Sequence, residues 1–293
     1  FRITPLVAVS ALAAVLAVAA AFVDIASFEV AGGVGAEAGK YKLNDFASNL
    51  TVGAIIAAVL LIGGSALGAT GRRIGTGLAG GAGLALAGMF GMVIGRVTGV
   101  FDSKEVELLL RGGSFTLTTT QEVGFWLAAV AAVLGGIAFI LSFAGGKPDG
   151  RPPLSPAIGV LGALGTLAVV VGPMIPMDGG SFGDNFSNTF IPPATLYLRL
   201  LVLVLIGVGG LVGFLANRHW GIGMALGAIS IGAWQWVTAI TESGDIPLGI
   251  AGGNPGGDIA DPFAPHIVTT VGVILMLLAG VAGLVVAGQQ RNA

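Results

Sequence analysis

The stretch that decides the fold is "TGRRIGTGLAGGAGLALAGMF", from Thr70 to Phe90. A second stretch, "ANRHWGIGMALGAISIGAWQW" from Ala216 to Trp236, repeats its pattern 146 positions further along the chain. The positions that match are Arg72/Arg218, Gly75/Gly221, Gly77/Gly223, Gly81/Gly227, Ala82/Ala228 and Ala87/Ala233. A basic turn followed by a glycine-rich apolar run therefore occurs twice, which predicts an internal duplication.

The composition indicates an integral membrane protein. Hydrophobic residues make up 55% of the chain and charged residues only 10%, with a mean hydropathy of +0.95, whereas soluble domains carry about 25% charged residues. The net charge of −2 argues against a nucleic-acid partner, and the absence of cysteine excludes disulfides and thiolate metal ligands. The bias towards glycine, alanine and valine, with more arginine than lysine, is typical of a high-GC bacterium such as an actinobacterium.

Eight apolar runs are each long enough to cross a bilayer, which takes about 20 residues. We expect an all-α protein with spans at 4–24, 50–70, 76–98, 124–145, 155–176, 194–216, 221–241 and 266–288. Basic residues of the short loops fall on one side: Arg2, Arg72, Arg73, Lys147, Arg151, Arg218 and Arg291. The positive-inside rule then predicts a multi-pass protein of the bacterial plasma membrane with both termini in the cytoplasm.

The loops on the opposite, outer side are longer and hold most of the acidic residues. They cover 25–49, 99–123, 177–193 and 242–265. The run "SFTLTTT", from Ser114 to Thr120, favours a short strand in one of them. The tryptophans mostly lie near span ends, as expected for anchors at the membrane interface; they are Trp126, Trp220, Trp234 and Trp236.

The duplication divides the chain into two four-span halves, residues 1–147 and 152–293, joined by a cytoplasmic linker at 148–151. Since four is an even number, both halves enter the membrane from the same side. We therefore expect parallel repeats related by a pseudo-twofold axis along the membrane normal.

The repeated glycines favour close helix packing. In lipid, helices gain nothing from burying apolar surface, so small residues that let backbones approach supply much of the attraction. We expect this role for Gly77, Gly81, Gly91, Gly95, Gly223 and Gly227, with the third span at the centre of the molecule. The alternative is that a GC-rich genome simply supplies glycine and alanine.

Charged residues are absent from the predicted membrane interior, but two lie at equivalent outer ends of spans three and seven. Arg96 and Glu242 are 146 positions apart, the spacing of the repeat. If both spans flank the axis, the two side chains form an ion pair between the halves. The alternative is two unrelated interfacial charges that reach out to water.

The sequence gives no catalytic, cofactor or metal motif. His219 and His266 lie on opposite faces, and no nucleophile–base set or phosphate loop is present. We therefore expect a non-enzymatic membrane subunit or scaffold of a cell-envelope complex. Its partners would be the lipid bilayer and other membrane or envelope proteins, bound through outer loops and lipid-facing helices. Two alternatives stay open: a transporter or lipid-translocating component, and a membrane enzyme acting at the outer face.

Overall fold

The computed structural model describes residues 4–31, 37–46, 49–100, 116–144, 156–171, 219–228, 230 and 267–289. The description that follows concerns these residues. The helices are α1 Pro5–Phe22, α2 Leu43–Phe46, α3 Leu50–Ala69, α4 Arg73–Val100, α5 Val123–Ala144, α6 Pro156–Val171, α7 at residues 219–228 and α8 Ile267–Gln289. The strands are β1 Ala26–Ala31, β2 Glu37–Tyr41 and β3 Thr116–Gln121.

Helices occur wherever a predicted span falls on described residues. Four of them, α1, α3, α4 and α5, are long and apolar enough to cross a membrane, which is compatible with a membrane protein. Parts of α6 and α8 are shorter apolar helices. The predicted sixth span, and the seventh span after α7 except for Ser230, lie outside the described residues.

Local sequence explains where the helices begin and turn. The Thr4 hydroxyl accepts a hydrogen bond from the backbone N–H of Val7 at 3.3 Å and caps α1, whose first residue is proline. Between α3 and α4 the chain reverses in three residues, and Gly71 there has a φ of +86°. A side chain at that φ is strained, so glycine permits this short turn beside Arg72 and Arg73.

The first four long helices form a ring in the order α1, α3, α4, α5, with α5 packed back on α1. The buried faces of these helices are largely alanine and glycine, and larger side chains such as Leu61, Phe90 and Leu86 fill the remaining space. Small residues bring the helix backbones close together, and dispersion contacts over the whole length hold the ring.

An antiparallel sheet covers the end of this ring opposite the α3–α4 turn. Its strand order is β2-β1-β3, so the loop after α1 and the loop after α4 meet in one sheet. The expected strand at 114–120 is confirmed as β3, whereas the β1–β2 hairpin and the short helix α2 were not predicted.

The sheet is tied directly to the helix ends. The N–H of Glu122 donates to the carbonyl of Ile25, and the N–H of Gly124 donates to that of Asp24, both at 3.0 Å. The Ser27 hydroxyl donates to the Glu122 carboxylate at 2.7 Å. The sheet therefore fixes the C-terminal end of α1 and the N-terminal end of α5 relative to each other.

In the second part of the chain, α6 packs along α8. A Cβ on Gly165 of α6 would lie 2.8 Å from the carbonyl oxygen of Gly272 and 2.8 Å from the amide nitrogen of Met276. The two helices therefore approach each other at backbone distance, as small-residue packing allows.

Candidate functional site

Among the described residues, the two predicted halves approach each other at backbone distance where α4 meets α7. A Cβ on Gly77 would overlap the carbonyl oxygen of Trp220 and lie 3.0 Å from the amide nitrogen of Met224. One turn later, a Cβ on Gly81 would overlap the carbonyl oxygen of Met224 and lie 3.0 Å from the nitrogen of Ala228. The backbone of α7 thus occupies the space that side chains at these two glycines would need.

The same contact is made in the other direction. A Cβ on Gly223 would overlap the carbonyl oxygen of Ile74 and lie 2.7 Å from the nitrogen of Leu78. A Cβ on Gly227 would overlap the carbonyl oxygen of Leu78 and lie 2.5 Å from the nitrogen of Ala82. Each helix therefore places glycines at the contact, and the backbone of the opposite helix lies against them.

The partners in these contacts follow the repeat spacing. Gly77 meets Trp220 and Met224, which stand 146 positions after Ile74 and Leu78, the two residues that Gly223 meets. Contacts also advance along both helices in the same direction, so α4 and α7 run parallel. Antiparallel helices would instead pair the start of one with the end of the other.

The remaining glycines of α4 serve other neighbours. Gly75 faces α3, where a Cβ would overlap the amide nitrogen of Gly68. Gly83 faces α5, where a Cβ would lie 2.5 Å from the carbonyl oxygen of Gly135, and the reverse distance is also 2.5 Å. Glycines on three faces thus bring three helices against α4 at backbone distance.

A polar link joins α5 to α7 beside this contact. The indole Nε1–H of Trp220 donates to the Ser142 hydroxyl at 3.2 Å, and that hydroxyl donates to the carbonyl of Phe139 at 2.6 Å. The Trp220 ring also packs on Phe143, with ring centroids 4.7 Å apart. Ser142 is fully buried, and a Cβ on Gly80 would overlap its hydroxyl.

This arrangement changes the interpretation of Trp220. An interfacial anchor keeps its indole N–H for water or lipid headgroups, but here the N–H is directed at Ser142 within the protein. Trp126, near the N-terminal end of α5, is 59% exposed and fits the anchor prediction better.

For the other predicted site residues the structure gives a position on a helix or no position, without a close contact. Gly91 and Gly95 lie on α4 and are half-buried. The backbone of Arg96 belongs to α4, but its side chain and all of Glu242 lie outside what the structure describes. The ion pair between Arg96 and Glu242 therefore stays a prediction.

The core of the described helices carries mild polarity and no charge. Among the side chains whose burial the structure describes, the buried polar ones are hydroxyl groups and His219, and none is an aspartate, glutamate, lysine or arginine. No group of three histidine, aspartate or glutamate side chains within the described segments is arranged to hold a metal ion. This chemistry suits helix packing.

Sequence reasoning singled out the glycines of the α4–α7 contact but missed Ser142 and Gly135. Gly135 is one of many small residues in its apolar run, and the sequence assigns no partner to it. Ser142 gave a weaker signal, a lone hydroxyl near the C-terminal end of an apolar run. Its significance depends on Trp220, which lies 78 residues away in sequence.

Comparisons with known proteins add no further assignment. No protein-family model matches the chain, and no curated protein and no solved structure matches it either. The functional argument therefore depends on the residues and contacts described above.

Proposed function

We propose that the chain is a non-enzymatic, multi-pass subunit or scaffold of the bacterial plasma membrane. The observation that carries the proposal is the backbone-level contact between α4 and α7. In transporters built from repeats, the substrate site lies near the bilayer midplane where the repeats meet. The described contact between the predicted halves lies in the first turns of α4 and α7, where it is filled by Gly77, Gly81, Gly223 and Gly227 and leaves no space for a substrate.

The proposed architecture is eight spans in two parallel four-span halves. Two observations support it. The contacts between α4 and α7 are reciprocal at the repeat spacing, and the predicted first and fourth spans pack together in each half, as α1 with α5 and α6 with α8. A pseudo-twofold axis along the membrane normal accounts for both.

The proposed orientation has both termini in the cytoplasm and the sheet outside. The turn with Arg72 and Arg73 lies at the end of the ring opposite the sheet, so the positive-inside rule favours placing this turn in the cytoplasm and the sheet outside. Because the chain has no cysteine, single cysteines can be labelled without background. An impermeant thiol reagent on intact cells should label Thr120→Cys and leave Thr70→Cys unlabelled; both positions are exposed. Labelling of Thr70→Cys alone would reverse the orientation.

The proposed partners are envelope proteins that bind the outer face and the lipid-facing helices. A scaffold should retain a stoichiometric partner when it is extracted from native membranes in mild detergent. The purified chain in proteoliposomes should also show no uptake of ions, sugars or amino acids above empty liposomes. Uptake by the isolated chain would replace the scaffold proposal with the transporter alternative.

An assay of lipid turnover distinguishes the scaffold proposal from the enzyme alternative. The outer loops hold acidic residues that a hydrolase of lipid or glycan would need. Incubation of the purified chain with a lipid extract of the native membrane should leave the lipid composition unchanged. Turnover that depends on an outer acidic residue, such as Glu122, would favour the enzyme.

A further inference from the structure

We infer that the face of α4 that packs on α7 is self-complementary, so that it fits a second copy of the first half, residues 1–147. This inference depends on the proposed two-half architecture and is independent of the scaffold role. The scaffold role concerns partner proteins, whereas this inference concerns the pairing of the α4 face with another α4 face, and its tests measure that pairing.

The residues at the contact are interchangeable between the two helices. Three positions are identical, Gly77/Gly223, Gly81/Gly227 and Ala82/Ala228, and two carry large apolar side chains on both sides, Ile74/Trp220 and Leu78/Met224. Every close approach from one helix has its counterpart from the other. An interface in which residue i meets j and j meets i is the kind that two identical chains form.

Two features of α7 are not shared by α4, and they explain why the halves of one chain pair with each other. Trp220 donates its hydrogen bond to Ser142, whereas the equivalent Ile74 has no such donor. Leu226 would contact a Cβ placed on Gly280, whereas its equivalent is Gly80. In addition, the covalent linker keeps the second half at a high effective concentration beside the first.

The first half contains a core of its own. One continuous cluster of buried side chains, from Leu6 to Ala138, is drawn from α1 to α5 and the sheet region. The ring of four helices and the sheet at its end are likewise complete within these residues. The fragment 1–147 is therefore a suitable object for a test of self-association.

The test is the association state of fragment 1–147 in mild detergent, measured by native mass spectrometry. We expect a dimer, and Gly77→Leu should weaken its association at least about tenfold because the side chain occupies the space of the partner backbone. Gly63→Leu is the matched control, because a Cβ on Gly63 meets nothing within 4 Å. A folded, monomeric fragment, or a dimer that survives Gly77→Leu, would overturn the inference.

A second test uses the intact chain and does not require the fragment to fold. The variant Trp220→Ile/Met224→Leu makes the contact face of α7 identical to that of α4 at all five positions. A self-complementary face should accept this change, so the variant should purify as wild type does and unfold at a higher temperature than Trp220→Ala. Aggregation of the symmetric variant would contradict the inference, whether or not any partner protein is found.

Discussion

Helices α4 and α5 lie side by side, but they differ in burial: most of α4 is buried against other helices, whereas much of α5 exposes large apolar side chains. In the most apolar 18-residue segment of each helix, 78% of the α4 segment is buried but only 33% of the α5 segment. Helix α4 nevertheless has the lower mean hydropathy, 1.8 against 2.4. In water-soluble proteins the most buried helix is usually the most hydrophobic. In lipid, bulk apolar side chains face the tails and small side chains face other helices.

The exposed side chains of α5 show the first of these roles. They form a stripe of large apolar residues along one side, namely Val123, Trp126, Val130, Val133, Ile137, Ile140 and Phe143. The buried side of α5 carries small residues such as Gly135, Ala138 and Ser142. One helix therefore separates the two roles onto two faces, whereas α4 has small residues on three.

The largest effect should come from filling the α4–α7 contact in the intact chain. Gly81→Leu places a side chain where the backbone of Met224 lies, and we expect it to cost more than about 3 kcal/mol of unfolding free energy, since a backbone cannot move aside as a side chain can. Gly63→Leu, on the open side of α3, should be neutral or slightly stabilising. Thermal unfolding in one detergent measures both.

Equal stability of these two leucine variants would show that α4 and α7 do not touch at backbone distance. The comparison between buried and lipid-facing helices would then lose its main support.

Neighbouring glycines of α5 offer a narrower test. A Cβ on Gly135 would lie 2.5 Å from the carbonyl oxygen of Gly83, whereas one on Gly136 meets nothing within 4 Å. Gly135→Ala should cost about 1–3 kcal/mol, and Gly136→Ala should gain up to about 1 kcal/mol because alanine favours the helix. Thermal unfolding should therefore show a lower unfolding temperature for Gly135→Ala and an equal or higher one for Gly136→Ala.

The link between Ser142 and Trp220 should have a smaller effect. Ser142→Ala leaves the indole N–H without its acceptor, at a cost of about 1–2 kcal/mol. Trp220→Phe removes the donor and keeps an aromatic ring beside Phe143. In a double-mutant cycle the two changes should couple by about 1 kcal/mol; strictly additive losses would mean that the hydrogen bond contributes nothing.

The smallest effect is expected in the sheet region at the ends of α1 and α5. Lys40 and Asp24 form an ion pair with a nitrogen–oxygen distance of 3.3 Å, and the Lys40 side chain is 64% exposed. Exposed pairs contribute about 0–1 kcal/mol, so Lys40→Gln should shift unfolding only slightly, and less in high salt. A shift as large as that of Gly135→Ala would indicate that the sheet holds the helices more firmly than its geometry suggests.

The sequence was informative where a pattern has one physical cause. Long uncharged runs form helices because lipid leaves no other way to satisfy the backbone, and α1, α3 and α5 begin and end within two residues of the predicted spans. Helix α4 starts three residues earlier than the predicted third span, at Arg73, because the positive φ of Gly71 lets the turn close within three residues. The β1–β2 hairpin was not predicted, although "ASFEVA" alternates between apolar and polar residues over most of its length.

The sequence was less informative about which helices meet. Glycine occurs on nearly every face of α4, so composition predicted a central helix without assigning Gly75 to α3, Gly77 to α7 or Gly83 to α5. Only the spacing of the repeat pointed at α7. Ser142 and Trp220 could not be paired in advance because one hydrogen bond between distant residues leaves no periodic signal.

The parallel contact between α4 and α7 has a consequence for the timing of synthesis. Gly77 leaves the ribosome 146 residues before Gly223, an interval of roughly 7–30 s at a rate of about 5–20 residues per second. Throughout that interval the face of α4 that carries Gly77 and Gly81 lacks the backbone of α7, so only lipid tails or another nascent chain can cover it. Translation of several chains on one messenger brings such faces near one another, so the speed of elongation through the second half sets how long each chain can pair wrongly.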